Sequence, residues 1–268
     1  METFTLSDGH TIPALGFGTY QLTGKGCTQI VEAALEIGYR HIDTADYYEN
    51  HRAIAPALKP YPREALYLVS KIWPGDHTRK RVPIVCNRSL KELETDYLDL
   101  FLIHWPDRSV PFAETLEAMA ALQEAGKIRS IGVSNFTIRH LTAALQAGVP
   151  IVVNQIECHP YFYQRELVDF CQERGIRITA WAPLLRGEVI SEPLFIEIGE
   201  RYGKTPAQVT LRWLTQKGHI AIPKTSHRKR ALENFSIFDF KLSGDEIKKI
   251  EGLNTGVRQF NPSFADFD

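Results

Sequence analysis

The sequence shows almost no excess of charge of either sign. Its 268 residues include 31 lysines and arginines against 32 aspartates and glutamates, which gives a formal net charge of −1. Proteins that bind the phosphate backbone of nucleic acids need a basic face. The balance therefore argues against a nucleic-acid partner.

Cysteine is scarce, and its four positions form no pattern typical of a disulfide framework or a metal site. Cys27, Cys86, Cys158 and Cys171 lie far apart along the chain. A chain of this length buries roughly 70–75% of the surface that its unfolded form exposes, so it needs no disulfide or metal to stay folded. We therefore expect reduced thiols, no bound metal and a cytoplasmic location.

Long hydrophobic runs are missing as well. No stretch approaches the roughly 18 apolar residues that a membrane-spanning helix needs, and no charged-then-apolar leader opens the chain. We expect a soluble protein without a membrane partner. Nothing in the sequence suggests an assembly larger than a monomer.

What the sequence does contain is a regular alternation of short apolar runs and helical patterns. The apolar runs predict eight strands, at Ala14–Gly18, His41–Asp43, Leu66–Lys71, Leu98–His104, Ile128–Ser134, Ile151–Glu157, Arg177–Ala182 and His219–Lys224. Helices are predicted between and after them, at Gln29–Ile37, Arg52–Leu58, Lys80–Glu94, Phe112–Ala125, Ile138–Gln146, Glu166–Arg174, Pro193–Tyr202, Pro206–Lys217, Arg230–Phe235 and Ser243–Ile250. This α/β alternation predicts a parallel sheet closed into a (β/α)8 TIM barrel, as a single domain over residues 1–268.

Two local patterns refine this prediction. Phe4-Thr5-Leu6 and Thr11-Ile12 flank an Asp8-Gly9 turn, which predicts an N-terminal β-hairpin that plugs one end of the barrel. The rival fold, an open doubly wound sheet, usually carries G-x-G-x-x-G after its first strand. Gly16-Phe17-Gly18-Thr19 lacks the third glycine in register, which disfavours the rival.

Residues able to do chemistry stand where successive strands end. Asp43, Lys71 and His104 each close a predicted strand, and Tyr48 follows shortly after Asp43. Side chains at the carboxyl ends of parallel strands face a common cleft, so we expect these four to converge on one site.

The four residue types suit the reduction of a carbonyl group, which needs a hydride from a cofactor and a proton from the protein. A phenol keeps its proton at neutral pH, and a nearby ammonium eases its release, provided that a carboxylate keeps the ammonium charged. A histidine can orient the carbonyl oxygen by a hydrogen bond. Taken singly, Asp43, Tyr48 and His104 also have structural explanations, as a strand-end cap, a packing tyrosine and a structural histidine. Tyr47 is a rival to Tyr48 as the donor.

Seven short motifs follow one another along nearly the whole chain: Gly16-Phe17-Gly18-Thr19; His41-Ile42-Asp43-Thr44-Ala45 with Tyr48; Lys71-Ile72-Trp73; Asp96-Tyr97-Leu98-Asp99-Leu100 with His104-Trp105-Pro106; Gly132-Val133-Ser134-Asn135-Phe136; Asn154-Gln155-Ile156-Glu157 with His159-Pro160-Tyr161; and Ile222-Pro223-Lys224-Thr225. By these motifs and their order the chain resembles the aldo-keto reductase family, and most closely the bacterial diketogluconate and methylglyoxal reductases. The resemblance implies a (β/α)8 barrel that reduces aldehydes or ketones with NADPH. It implies Asp43, Tyr48, Lys71 and His104 as the catalytic tetrad, and its spacing selects Tyr48 over Tyr47.

The resemblance also implies the cofactor contacts. The basic run Lys224 to Arg230 lies where the last strand meets its helix, and is either a solvated charge run or a clamp for the phosphate on the adenosine ribose. The family pattern assigns the clamp to Lys224, Thr225 and Arg230, with Glu233 and Asn234 on the adenine side. Ser134, Asn135 and Gln155 suit the nicotinamide carboxamide, and Trp181 resembles the aromatic residue that stacks on the nicotinamide ring. The remaining expected cofactor contacts are Thr19, Ala182, Leu184 and Ser226.

The expected substrate pocket is aromatic. Tyr20, Tyr47, Trp73 and Trp105 are predicted to wall it, and the segment from Asn254, with Arg258, Phe260 and Phe264, is predicted to close over it. Glyceraldehyde, methylglyoxal and keto-sugars all remain open as substrates.

The chain departs from the family pattern in three places. His51 stands where glutamate is usual, Ala182 replaces a common serine, and Leu185–Pro193 is short where many relatives carry a loop over the cofactor. A non-catalytic, NADPH-binding relative is the main alternative function, and the intact tetrad disfavours it. A metal-dependent barrel hydrolase is a second alternative, but the strand ends offer it only Asp43 and His104 as ligands.

Overall fold

The computed structural model describes residues 2–267, which form a closed barrel and a separate two-stranded sheet. The barrel strands are all parallel and pair in chain order: β3 (Phe17–Gly18), β4 (His41–Asp43), β5 (Tyr67–Ile72), β6 (Leu98–Ile103), β7 (Ile128–Ser134), β8 (Val153–Glu157), β9 (Arg177–Trp181) and β10 (Ile220–Ala221). Parallel bridges from Leu15 to Ala221 and from Gly18 to Lys224 join the first strand to the last. The predicted TIM barrel is confirmed.

The hairpin before the barrel consists of β1 (Thr3–Thr5) and β2 (Thr11–Pro13), antiparallel, with Phe4 opposite Ile12. Gly9 has φ +89°, a conformation that suits glycine at the turn. Leu6 and Ile12 pack against inward-facing barrel residues, including Val69 and Leu100. The hairpin therefore plugs the amino-terminal end of the barrel, as predicted.

The helices of residues 2–267 surround the barrel. They are α1 (Gly24–Ile37), α2 (His51–Leu58), α3 (Arg81–Leu93), α4 (Phe112–Glu124), α5 (Ile138–Leu145), α6 (Arg165–Glu173), α7 (Pro193–Tyr202), α8 (Pro206–Gln216), α9 (Arg228–Phe235) and α10 (Gly244–Glu251). Their buried faces form the outer core with outward-facing strand residues such as Phe101 and Ile103. In this part of the chain no helix has the length and apolar character needed to cross a membrane.

Element boundaries differ from the predictions mainly where apolar periodicity is weak. Helix α1 begins at Gly24, five residues before the predicted start at Gln29. The prediction missed this first turn because Gly24 and Gly26 interrupt the apolar pattern there. It ends as predicted at Gly38, whose φ of +125° few other residues adopt. The last strand is shorter than predicted, since Pro223 has no N–H to donate to a ladder.

The pleat of the strands decides which side chains enter the barrel. Along β5, Tyr67 and Val69 face the interior, whereas Leu68 and Ile72 belong to the outer core. Because side chains alternate between the two faces of a strand, Lys71 shares the inward face with Val69. The interior is thus apolar near the hairpin and becomes polar toward the carboxyl ends of the strands.

Candidate active site

Polar side chains occupy the final inward-facing positions of neighbouring strands. Asp43 pairs in register with inward-facing Val69, and Lys71 pairs with inward-facing Leu102. The same face continues in Ser134, Gln155 and Trp181, and His104 follows directly after β6. The barrel geometry thus brings six predicted site residues to one end.

Beneath this end lies a buried ion pair. The Nζ of Lys71 donates to Oδ1 of Asp43 at 2.6 Å and to the backbone carbonyl of Thr44 at 2.8 Å. The other carboxylate oxygen accepts from Nε2 of Gln155 at 2.8 Å. Burial lowers the pKa of Lys71 from its usual value, and Asp43 opposes this effect. Asp43 therefore favours the charged form of the lysine.

Tyr48 lies above the ion pair in a short 3-10 turn, Asp46–Tyr48. Its backbone N–H donates to the carbonyl of Ala45 at 3.0 Å, and its ring centre lies 5.1 Å from Nζ of Lys71. Burial raises the pKa of Tyr48 well above its usual value, and Asp43 and Tyr20 add to the effect. The phenol is therefore protonated at neutral pH, as a proton donor must be.

Asn50 holds the loop that carries Tyr48. Its amide nitrogen donates to the carbonyls of Thr19 (3.0 Å) and Leu22 (3.1 Å), and its amide oxygen accepts from the hydroxyl of Thr44 at 2.6 Å. Asn50 is almost fully buried, so these bonds form in a water-poor setting. Sequence reasoning gave Asn50 no role, although it follows the second tyrosine by only two residues.

His104 stands beside the phenol. Its ring centre lies 5.6 Å from that of Tyr48 and 5.0 Å from that of Trp73, both in edge-on arrangements. Burial lowers the pKa of His104 well below its usual value, and the charges of Lys71 and His77 add to this. The imidazole is therefore neutral at physiological pH. Within residues 2–267 its Nδ1 has no hydrogen-bond partner.

Asn135 has a left-handed backbone (φ +63°), and three hydrogen bonds hold its side chain. Its amide nitrogen donates to the carbonyl of His104 at 2.9 Å and to Ser134 Oγ at 3.1 Å, and its amide oxygen accepts from Nε1 of Trp181 at 3.0 Å. Asn135 therefore links the side chain of Trp181 to the backbone of His104 through hydrogen bonds. The predicted contact of Asn135 with a nicotinamide carboxamide stays a prediction.

One cleft of about 1100 Å³ connects these groups. Every predicted catalytic, cofactor and substrate residue lines it except Lys71, which is fully buried below. Small-molecule pockets usually occupy about 300–1000 Å³, so this cleft is large enough for a dinucleotide and a small second molecule.

The end of the cleft above Tyr48 is aromatic. Tyr47 and Trp73 stack with their ring centres 3.8 Å apart and their planes within 12°. Phe264 places its ring edge-on to Trp73 (5.4 Å) and to Trp105 (5.2 Å). The segment that carries Phe264 therefore closes this end, as the sequence predicted.

The opposite end of the cleft is cationic. Lys224 and Arg230 line it and are exposed, and within residues 2–267 their side chains form no ion pair or hydrogen bond. Helix α9 begins at Arg228, so the backbone N–H groups of its first turn lie beside these side chains. Just before the helix, Thr225 Oγ1 accepts from the N–H of His227 at 3.1 Å. Free cations beside a helix amino terminus form a favourable site for a phosphate. Glu233 and Asn234, predicted on the adenine side, lie one turn further along the helix.

Further residues line the cleft that sequence reasoning did not assign to the site. They are Gly18, Gln21, Pro183, Arg186, Gly187, Ile190, Thr205, Pro206, Ala207, Ile222, Pro223, His227, Gln259, Asn261 and Pro262. Most lie in loops, where no periodic pattern exists to show which way a side chain faces. In the described part of the chain no group of three or more His, Cys, Asp and Glu side chains could hold a metal ion.

Comparisons with known proteins agree with this geometry. The model of the Aldo/keto reductase family matches residues 14–255. An aldo-keto reductase of Mycolicibacterium smegmatis is 45% identical, covering 95% of this chain and 94% of its own. The glyoxal reductase of Bacillus subtilis is 40% identical, covering 96% and 94%.

A solved structure agrees as well. An aldo-keto reductase from a Medee basin deep-sea metagenome library superposes with a TM-score of 0.93 at 35% identity, covering 96% of this chain and 97% of its own. A match over most of the sequence and the same barrel together show an oxidoreductase that acts on carbonyl groups. The chain belongs to the aldo/keto reductase family.

Proposed function

We propose that this protein reduces small aldehydes and ketones to alcohols with NADPH as hydride donor and Tyr48 as proton donor. One observation carries the proposal: the buried pair of Lys71 and Asp43 lies under the ring of Tyr48, in a cleft that continues to Lys224 and Arg230. Such a cleft offers a protonated phenol at one end and free cations for a phosphate at the other.

The residues present fit an NADPH molecule. The unpaired cations Lys224 and Arg230, with Thr225 and Ser226, would hold the phosphate on the adenosine ribose, and Glu233 and Asn234 would lie by the adenine. Trp181 would stack on the nicotinamide, and Ser134, Asn135 and Gln155 would meet its carboxamide. Thr19, Ala182 and Leu184 would complete the wall. When bound, NADPH supplies the hydride.

The proton is the protein's own contribution. The hydroxyl of Tyr48 donates it to the carbonyl oxygen as negative charge develops there. The ammonium of Lys71 stabilises the phenolate that remains, and Asp43 keeps that ammonium charged in a buried setting. Gln155 and Thr44 fix the ion pair, so little reorganisation accompanies proton transfer.

His104 would orient the substrate. A neutral imidazole has one N–H to donate, and a bond from it to the carbonyl oxygen would aim that oxygen at Tyr48. The edge-on contacts of His104 with Tyr48 and Trp73 hold the ring in place for this task. Its lowered pKa means that the ring adds no charge that would compete with Lys71.

The aromatic end favours small carbonyl compounds. Tyr20, Tyr47, Trp73 and Trp105 line it, with Phe264 above. Glyceraldehyde, methylglyoxal and keto-sugars are the proposed substrate classes, and one of the similar proteins is named a glyoxal reductase. We also propose a single-domain, monomeric enzyme of the cytoplasm. The four cysteines, all buried and unpaired, suit such a reducing compartment.

The test follows nicotinamide absorbance with purified protein, NADPH or NADH, and a panel of these carbonyl compounds. We expect consumption of NADPH with at least one small aldehyde and a clear preference for NADPH over NADH. Tight NADPH binding without consumption across the whole panel would contradict the proposed reaction. Equal use of NADH would contradict the phosphate clamp alone.

A further inference from the structure

Glu157, at the carboxyl end of β8, is a fully buried carboxylate that the proposed reaction does not use. Its Oε1 accepts the backbone N–H of Gln259 at 2.8 Å, and its Oε2 accepts the N–H of Phe260 at 3.2 Å. His159 also lies 3.0 Å from Oε1, and Arg258 lies 3.8 Å from Oε2. One buried side chain therefore fixes the start of residues 258–264, which we call the closing segment.

This anchor places the Phe260 ring over the cofactor side of the cleft. Glu157 pairs in register with Trp181 on the next strand, and the Phe260 ring lies 5.3 Å from that of Trp181. The two planes are inclined at 59°, so Phe260 does not stack flat on the indole. The remaining part of the closing segment reaches the aromatic end through Phe264.

A second contact reaches Phe260 from the short 3-10 helix Leu185–Ser191, which follows β9. The guanidinium of Arg186 lies 4.9 Å from the centre of the Phe260 ring, within the range of a cation–π interaction. Arg186 and Gly187 both have positive φ, and both line the cleft. Within residues 2–267 Arg186 has no carboxylate partner, so the ring of Phe260 is the contact that holds its side chain.

We propose that Glu157, Phe260 and Arg186 form a clasp that slows the release of the nicotinamide cofactor. The clasp joins the segment after β9 to the closing segment next to Trp181. A dinucleotide lying between Trp181 and Arg230 would share the cleft with Phe260 and Arg186, which both line it. Phe260 and Glu157 act as positioning residues, and they take no part in hydride or proton transfer. The inference rests on the proposed NADPH site.

The test measures how fast NADPH leaves the binary complex, by stopped-flow nicotinamide fluorescence with excess NADP⁺ as the displacing ligand and no carbonyl substrate. We expect Phe260→Ala to speed dissociation by about 5- to 50-fold, because it removes both ring contacts. Phe260→Tyr keeps a ring and should restore slow release. Arg186→Ala should speed release by about 2- to 5-fold.

Phe264→Ala is the matched control, because it removes an aromatic ring from the same segment but from the substrate end. We expect it to leave NADPH dissociation unchanged. Glu157→Gln keeps the size of the side chain but cannot accept from both amides, and should speed release by an intermediate factor. Because Phe260 is only partly buried, its substitution leaves the core intact and keeps the test independent of folding.

A double substitution separates the clasp from a direct contact of Arg186 with the cofactor phosphates. If Arg186 acts through Phe260, Arg186→Ala adds nothing to Phe260→Ala. Fully multiplicative effects would overturn the bridge, as would unchanged dissociation in Phe260→Ala. Failure to bind NADPH in the wild-type protein would instead contradict the proposed function, so the two failures are distinguishable.

Discussion

The two ends of the cleft are built in opposite ways. At the end beneath Tyr48, Lys71 and Asp43 are buried, and hydrogen bonds of 2.6–2.8 Å reach the ammonium and both carboxylate oxygens. At the far end Lys224 and Arg230 are exposed, and within residues 2–267 they have no ion-pair partner. The same protein thus holds one pair of charges fixed and leaves another available.

The difference follows from what each end is proposed to do. Proton transfer is helped by dipoles and charges that are already oriented, because reorganisation would add to the barrier. Binding a phosphate instead needs cations that are free to form charge-assisted hydrogen bonds. The contrast predicts that substitutions at the two ends change different measurable quantities.

The largest expected effect is that of Tyr48→Phe. Loss of the phenolic proton should lower turnover by about 10²–10⁴-fold, while NADPH affinity remains that of the wild type. Steady-state kinetics combined with fluorescence titration checks both parts. Tyr47→Phe is the control and should retain most of the turnover. Near-wild-type turnover in Tyr48→Phe would remove this residue from the mechanism.

The same substitution can be compared at the two ends. Lys71→Met should lower the free energy of unfolding by about 3–5 kcal/mol, because it leaves the Asp43 carboxylate buried without its cation. Lys224→Met, at an exposed site, should change it by less than about 0.5 kcal/mol. Urea unfolding followed by circular dichroism measures both. Equal stabilities of the two variants would show that the buried pair is not coupled as the structure indicates.

At the cationic end, Arg230→Ala should weaken NADPH binding by about 1.5–3 kcal/mol and hardly affect NADH. Arg228→Ala is the control, because Arg228 pairs with Glu36 on the surface and does not line the cleft. Titration of both cofactors into both variants measures the effect. Equal losses for NADPH and NADH in Arg230→Ala would argue against a clamp for the additional phosphate.

The smallest effect concerns His51, which is buried behind the catalytic end with Nε2 3.1 Å from the hydroxyl of Ser70. Burial lowers its pKa to about 4, and nearby Glu92 opposes the shift while Lys71 and Arg88 add to it. A neutral buried histidine contributes stability above its unfolded pKa of about 6.5, and loses it as pH falls toward the folded value.

We therefore expect His51→Gln to lose less stability on acidification than the wild type. The difference should be about 1 kcal/mol between pH 6 and pH 5, measured by urea unfolding at each pH. Above pH 7 the two proteins should show parallel pH dependence. An identical loss of stability in both proteins between pH 6 and pH 5 would mean that His51 is protonated equally in the folded and unfolded chains.

Much of this organisation was predictable because strands obey a two-residue period. Once the run that ends at Lys71 is identified as a strand, its inward face includes Val69 and Lys71 together. The carboxyl ends of parallel strands lie at one end of the barrel, so the placement of Asp43 and His104 near Lys71 was also predictable. The confirmed barrel and hairpin depend on such local patterns.

The rest could not be predicted because it depends on contacts between distant segments. The 3-10 turn of Tyr48 is held by Asn50 through the carbonyls of Thr19 and Leu22, which no local pattern encodes. The hydrogen bonds of the Asn135 amide to His104 and Trp181 likewise join segments that lie far apart along the chain. The side chain of Arg186 follows no regular period either, because its backbone has a positive φ within the 3-10 helix Leu185–Ser191.

The bond from Lys71 to the carbonyl of Thr44 has a consequence for how new specificities can arise. This bond holds the loop that carries Tyr48 against the barrel interior. Phe264, in contrast, belongs to a segment that contacts the aromatic end only at its rim. Natural variation or laboratory selection can therefore alter residues 261–264 and change which molecules are admitted, without disturbing the proposed proton donor.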